Sequence, residues 1–270
     1  MKKLLLILTL LTGSAFSSDL DAFKNIKDSL NIAGGTAHIK CEKEAIKNIM
    51  RTYPNISITI AGGGSGLGIK QVSSKMIDLA NSGRTPSDIE IKKGDLKLYR
   101  FAIDGIGIVV NKSNPLSNLT TKQLQDVFSG KITNFKELGF KDSKINLYTR
   151  DESSATRKVF WKKALNKSKI ISSARVVASN AAMKTIISKD RNAIGIISLG
   201  LVNEQIKLLN LNGVKPSVDS INDKSYKVAR GLYLLSSGEP KPLAKAFIDY
   251  MRSNTGAKIV KKYGFIAVNE

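Results

Sequence analysis

The sequence predicts an α/β fold with mostly parallel strands, and three observations carry that expectation. Short apolar runs alternate with amphipathic stretches along the chain, several of the junctions are rich in glycine and hydroxyl residues, and no internal repeat or low-complexity linker breaks the alternation. At 270 residues there is enough chain to bury a substantial core, as one large domain or two of ordinary size.

The first element is a leader. MKKLLLILTLLTGSAFSSDLD carries two lysines, a largely apolar run from Leu4 to Leu11 and then small residues. This is the form of a secretory signal peptide over residues 1–17, too short for a membrane span, with Ala15 and Ser17 in a small-x-small cleavage pattern and a mature start near Ser18. No cysteine follows the apolar run directly, so a lipid anchor there is not expected, and no later segment is apolar enough to cross a bilayer.

Beyond the leader, strands are expected at 31–33, 56–60, 76–80, 97–102, 106–110, 145–148, 175–178, 193–198 and 232–235. Helices are expected between them at 40–52, 67–75, 121–128, 156–165, 181–188, 242–253 and 255–263. The stretch TRDESSATRKVFWKKAL shows the logic. Ile145 to Tyr148 alternates as a strand, Ser153 or Ser154 is placed to cap a helix, and Val159, Phe160, Ala164 and Leu165 form its apolar stripe. FAIDGIGIVVNKSNP reads either as a passage between two domains or as one long central strand with a glycine bulge. VARGLYLLSS, near the end, would allow a second crossing.

Composition excludes several classes of chemistry. Cys41 is the only cysteine, so no intrachain disulfide can form. His38 is the only histidine, which leaves little for a histidine metal site or a Ser-His-Asp triad. The 43 basic and 22 acidic residues give a formal charge of +21. The lysines are scattered singly, as in IKNIMR, without a basic run interleaved with aromatics, so a solvated and mildly steering surface fits better than nucleic-acid binding.

Four loops share one design. NIAGGTAHIK, ITIAGGGSGLGIKQV, DLANSGRTPSDIE and TRDESSATRKVF each leave a strand through small or hydroxyl residues into a helix or turn. Helix N-termini expose unpaired N–H groups and partial positive charge, glycine lets a backbone approach a ligand closely, and hydroxyls add donors without charge. The glycine run is not a Walker loop, since Gly68 is followed by Ile69, Lys70 and Gln71, and no G-x-G-x-x-G register exists. The simplest arrangement is a cleft where helix ends and Arg150 converge on one small anion. Glu152 could hold the Arg150 guanidinium or face water.

In AGGGSGLGIK, DLANSGR, AIDGIGIVVNKSNPLSNLTTKQLQDVFSGKITNF, TRDESSATRKVF and AIGIISLG, taken in order, the chain resembles the periplasmic phosphate-binding proteins of phosphate ABC transporters, which are class II periplasmic binding proteins. The resemblance covers nearly the whole mature chain. It implies two α/β lobes joined by two hinge-crossing strands, with residues 18–108 plus 226–270 in lobe 1 and 109–225 in lobe 2. It implies inorganic phosphate in the cleft, delivery to a membrane permease, a periplasmic location, a monomer, no cofactor or metal and no bond chemistry. It places the phosphate ligands on Thr36 with the Ala37 amide, on Ser65, on Ser82 with Gly83 or Arg84, and on Arg150, Ser154, the Ala155 amide and Thr156. Ala155 and Ala181 stand where that family usually has glycine, Ile196 where it often has tyrosine and Ala37 where a hydroxyl is common; the amides survive all four changes.

Phosphate at neutral pH keeps a proton that sulfate lacks, so a carboxylate acceptor in the cleft would favour phosphate over sulfate. Asp104 in AIDGIG is the first candidate for that acceptor and Asp78 the second. The rival readings are a binder of sulfate, molybdate or tungstate, a secreted hydrolase using a serine of DESSAT but lacking a base, and a basic polyanion binder.

Overall fold

In the computed structural model, which describes residues 19–268, strands and helices alternate through most of the described length. The expected signal peptide, residues 1–17, lies outside the described residues. Three β-to-α units come first: β1 (Ser29–Gly34) with α1 (Ile39–Thr52), β2 (Ser57–Gly63) with α2 (Ser65–Ser73), and β3 (Leu79–Ser82) with α3 (Asp88–Gly94). The helix α1 forms because Cys41, Ala45, Ile46 and Ile49 recur at helical spacing and are all buried on one side.

The long strand β4 (Leu96–Asn111) follows, then β5 (Asn118–Leu119), α4 (Thr121–Ser129), β6 (Asn146–Arg150), α5 (Ala155–Lys163), β7 (Arg175–Val177), α6 (Asn180–Lys189) and β8 (Ala193–Ser198). The chain then makes β9 (Ile206–Leu208), β10 (Asn210–Leu211) and α7 (Val218–Asn222). It returns through β11 (Ala229–Ser237) and ends with α8 (Pro242–Arg252), α9 (Asn254–Lys262) and β12 (Ile266–Ala267).

The main sheet runs β2-β1-β3-β11-β4-β8-β6-β7, with β9 and β12 also on β4. Its outer pairs are parallel, as the β-to-α alternation requires: β1 with β2 and β3, β6 with β7 and β8. Its centre is not. Strand β11 is antiparallel to β3 and β4, and β4 is antiparallel to β8, β9 and β12, which corrects the expectation of a mostly parallel sheet. The cause is directional, since β4 carries the chain out of one half of the molecule and β11 brings it back.

The two expected strands at 97–102 and 106–110 are one continuous strand, with its register irregularity at Phe101, not at Gly105. The strand expected at 76–80 begins later, at Leu79, because the chain is still turning after Lys75, whose φ is 56°.

Packing divides β4 and β11 at the same level. One core gathers Phe23, Leu30, Ile49, Phe101, Leu232 and Phe247; a second gathers Ile106, Ile108, Leu124, Phe128, Phe160 and Val228. Asp104 and Arg230 sit opposite each other in register, between the last residues of the first core and the first of the second. This is the two-lobed arrangement of binding proteins that close on a ligand. No helix among the described residues is long and apolar enough to cross a membrane.

Helix α2 lies directly on the end of β1. A Cβ on Gly68 would come within 2.8 Å of both the Ala33 carbonyl oxygen and the Gly34 Cα. Gly68→Ala should therefore lower stability by about 1–3 kcal/mol, read as a fall in the urea midpoint. An unchanged midpoint would show that α2 is free to shift away from β1.

Candidate anion-binding site

Four loops and one strand meet in a single pocket. The turn after β1 brings Gly35, Thr36, Ala37 and His38; the turn after β2 brings Gly64 and Ser65; the turn after β3 brings Gly83. From the other half come Arg150 at the end of β6 and Ser154, Ala155 and Thr156 opening α5, while Arg230 enters from β11. The pocket is small, leaving about 10 Å³ open to the centre of a water-sized group.

Backbone conformation aims these loops inward. Gly64 has φ 87° and precedes α2, and a Cβ there would lie 2.3 Å from the Ser153 hydroxyl, so only glycine allows the approach. Ser154 caps α5, its side chain accepting from the Arg157 amide at 3.3 Å. The N-terminal ends of α1, α2 and α5 thus converge, and their free N–H groups and partial positive charge favour an anion.

The two guanidinium groups differ in their partners. Arg150 is 1% exposed; its Nε donates to the Val177 carbonyl at 2.7 Å and its Nη2 to that of Ala178 at 2.8 Å. Its Nη1 is buried with no partner among the described residues. Asp151 is 3.9 Å away. Burial, opposed by the Asp151 charge and assisted by that of Arg230, holds the Arg150 pKa down at about 10, so the group is cationic at neutral pH.

Arg230 is fully engaged. Its Nε and Nη2 donate to Asp104 Oδ2 at 3.0 and 2.8 Å, and its Nη1 donates to Thr156 Oγ1 at 3.0 Å. The other Asp104 oxygen accepts from the Ser198 hydroxyl at 3.0 Å. Burial raises the Asp104 pKa, with Arg230 and then Ser198 working against it.

Further contacts, made by Ser153 and Asn180, bind the two halves across the cleft. The Ser153 hydroxyl donates to the Gly63 carbonyl and the Gly66 amide donates to the Ser153 carbonyl, both at 2.9 Å. Asn180 Nδ2 donates to Thr36 Oγ1 at 3.0 Å.

Eight of the residues singled out in the sequence line this pocket: Thr36, Ala37, Ser65, Gly83, Arg150, Ser154, Ala155 and Thr156. Three do not. Ser82 turns its hydroxyl onto the Arg84 carbonyl at 2.7 Å. Arg84 forks onto both carboxylate oxygens of Glu90 at 2.7 Å, a pair that holds the Glu90 carboxyl down at about 2. Asp104 is turned to Arg230 and Ser198, as above, and is not exposed to the pocket.

Asp78 is also elsewhere, accepting from the Asn31 amide at 2.7 Å and pairing with Lys241 at 3.0 Å. Glu152 does not hold Arg150; it pairs with Arg157 at 3.4 Å. The residue that sequence reasoning missed is Arg230. Its signal was one charge inside the otherwise apolar run VARGLYLLSS, but its register opposite Asp104 is a tertiary fact.

At the start of α1, His38 lines the pocket and Glu42 follows it one turn on. His38 Nδ1 is 3.2 Å from the Gly35 carbonyl, its ring packs on Phe101, and burial pushes its pKa down to about 4, leaving it neutral. Glu42 accepts from Asn81 Nδ2 at 2.6 Å, yet burial pushes its carboxyl up to about 8.

The PBP superfamily domain, as a family model, matches residues 24–255. The chain is 32% identical to the phosphate-binding protein PstS of Bacillus subtilis over 96% of its own length and 88% of that protein. It is 28% identical to the phosphate-binding protein PstS of Borreliella burgdorferi over 99% of each. A Clostridium perfringens structure described as a phosphate ABC transporter substrate-binding protein, with bound phosphate, superimposes with a TM-score of 0.84 at 30% identity, over 89% of this chain and all of that one. The chain belongs to the PBP superfamily and, within it, to the family of these PstS phosphate-binding proteins.

Glu42 sets a pH dependence of stability. Its folded pKa near 8 lies above the ordinary carboxyl value of 4.5, so its contribution is complete below pH 4.5 and is lost as pH rises through 8. Glu42→Gln keeps the shape and an acceptor for Asn81 while removing the charge. It should leave the urea midpoint unchanged at pH 4.5 and raise stability by up to a few kcal/mol at pH 8.5. A variant less stable at pH 8.5 would show that Glu42 folds as the anion.

Proposed function

We propose that this protein captures inorganic phosphate between its two lobes and delivers it to the membrane permease of an ABC transporter. The observation that carries the reading is Arg150 Nη1, buried and unpartnered beside a pocket where three helix N-termini meet. That geometry asks for one compact anion. The relatives named PstS and the phosphate-bound Clostridium perfringens structure point to which anion it is.

The ligand set we assign is Arg150, the hydroxyls of Thr36, Ser65, Ser154 and Thr156, and the amides of Ala37 and Ala155, with the Gly83 amide holding the Ser65 hydroxyl from behind. Lobe 1 is taken as residues 18–108 plus 226–270 and lobe 2 as 109–225, with the hinge where Asp104 faces Arg230. The two cores separate at that level, a few residues inside these bounds, because Ile106, Ile108, Tyr226 and Val228 pack in the second core. We place the mature protein in the periplasm as a monomer, with residues 1–17 removed on export; the apolar run of the leader supports that reading.

Phosphate captured this way exchanges its water shell for hydroxyls, amides and one guanidinium fork, and no bond is made or broken. Calorimetric titration of the anion-stripped full-length mature chain with phosphate should show one saturable site. Arg150→Met should weaken it by about a hundredfold or more, since a charge-assisted pair in a desolvated site is lost. A thermal melt that remains cooperative separates this loss from unfolding. Unchanged phosphate affinity in that variant would remove the site.

A further inference from the structure

The hydroxyl groups lining the pocket are all filled from behind. Thr36 Oγ1 accepts from the Asn180 amide and Nδ2 at 3.3 and 3.0 Å, and Ser65 Oγ accepts from the Gly83 amide at 3.0 Å. Ser154 Oγ accepts from the Arg157 amide at 3.3 Å and Thr156 Oγ1 from Arg230 Nη1 at 3.0 Å. A hydroxyl whose oxygen already takes an N–H turns its own hydrogen outward, toward the ligand. Arg150 Nη1 and the helix N-termini add more donors.

The carboxylate that the sequence offers first as a proton acceptor, Asp104, is claimed on one oxygen by Arg230 and on the other by Ser198. Arg230 stands between it and the pocket, itself a lining residue. We infer that Arg230 is a specificity-determining residue, because by occupying Asp104 it leaves a pocket of donors that prefers the more ionised form of a tetrahedral oxyanion and discriminates only weakly against sulfate. The inference rests on the phosphate reading above and refines it.

The mechanism is a matter of hydrogen-bond polarity. A carboxylate acceptor would welcome the phosphate proton and repel every sulfate oxygen, a contrast on the order of 10⁴ to 10⁵ in sites built that way. Here the phosphate proton meets only the second lone pair of a neutral hydroxyl, which does not repel sulfate. The charged side chains facing the anion are Arg150 at the end of β6 and Arg230 on β11, backed by Asp151 and Asp104 respectively. His38 and Glu42 belong to the start of α1, and Arg84 is held by Glu90.

The test uses the anion-stripped mature chain and two anions at fixed ionic strength, phosphate and sulfate, each titrated at pH 5.5, 7 and 8.5. Sulfate does not ionise across this range, so it reports any change in the protein alone. Phosphate affinity divided by sulfate affinity should rise roughly tenfold or more from pH 5.5 to 8.5, following the second ionisation of phosphate. At pH 8.5 sulfate should bind within about a hundredfold of phosphate, far short of the contrast a carboxylate would give.

Arg230→Gln uncovers Asp104 and should raise the phosphate preference over sulfate by at least tenfold at pH 5.5; Arg230→Lys should stay near the wild-type ratio. A wild-type ratio that is flat or falls with pH, with sulfate excluded by 10⁴ or more, would overturn the inference. So would an Arg230→Gln ratio equal to wild type. Binding of neither anion at any pH would instead overturn the phosphate reading on which it rests.

Discussion

Two guanidinium groups share one desolvated pocket, and the buried carboxylate of Asp104 serves only one of them, Arg230. Removing a charge from water costs several kcal/mol even after relaxation, so each arginine must be surrounded by acceptors before it can be buried. Arg230 has Asp104 and the Thr156 hydroxyl. Arg150 has two backbone carbonyls, a carboxylate at the edge of contact range and one nitrogen with nothing to bind. Three helix N-termini add partial charge of the same sign. The closed pocket is therefore electrostatically incomplete by about one anion, and an anion placed there relieves the Arg150–Arg230 repulsion as well as the orphaned donor.

This incompleteness lies at the level where, among the described residues, β4 and β11 pass from one core to the other. The long strand β4 and the returning strand β11 cross between the cores, and the Asp104–Arg230 pair is the rung at which they do so. Its third nitrogen reaches Thr156 on the far side of the cleft. The remaining contacts across the cleft, at Ser153 and Asn180, are few and neutral, each worth about 0.5–1.5 kcal/mol net. Such an interface is weak enough to open and specific enough to close in one register, which is what coupling of closure to ligand binding needs.

The parts of the site that could be read in the sequence are those fixed by local structure. Arg150, Ser154 and Thr156 stand on one strand–loop–helix unit whose cap and apolar stripe are visible in a dozen residues, and the glycine run announces a close backbone approach. Arg230 was hidden because its meaning depends on register between strands more than a hundred residues apart. Arg84 misled for a local reason that was also present: Ser87 and Glu90 form a capping box, and the same Glu90 is within reach of the Arg84 fork. Ser82 faces its own turn for the sake of that geometry. The antiparallel centre of the sheet followed from chain direction at the hinge, which alternation of strand and helix does not encode.

The large positive charge acts on a different step from the buried pair. Lysines such as Lys122, Lys245 and Lys262 are largely exposed and already sit beside carboxylates. In water at physiological salt their fields fade within about 8 Å, so they contribute little once the anion is enclosed. What 43 basic against 22 acidic residues can do is raise the local concentration of anions around the open cleft, an effect on arrival. Retention belongs to Arg150 and its neutral donors, which work at contact distance where water and salt are excluded. Attraction of anions and their retention are thus separated in space, and the preference for the more ionised form of an oxyanion falls to the hydrogen-bond polarity of four hydroxyl groups whose orientation the surrounding N–H donors have set.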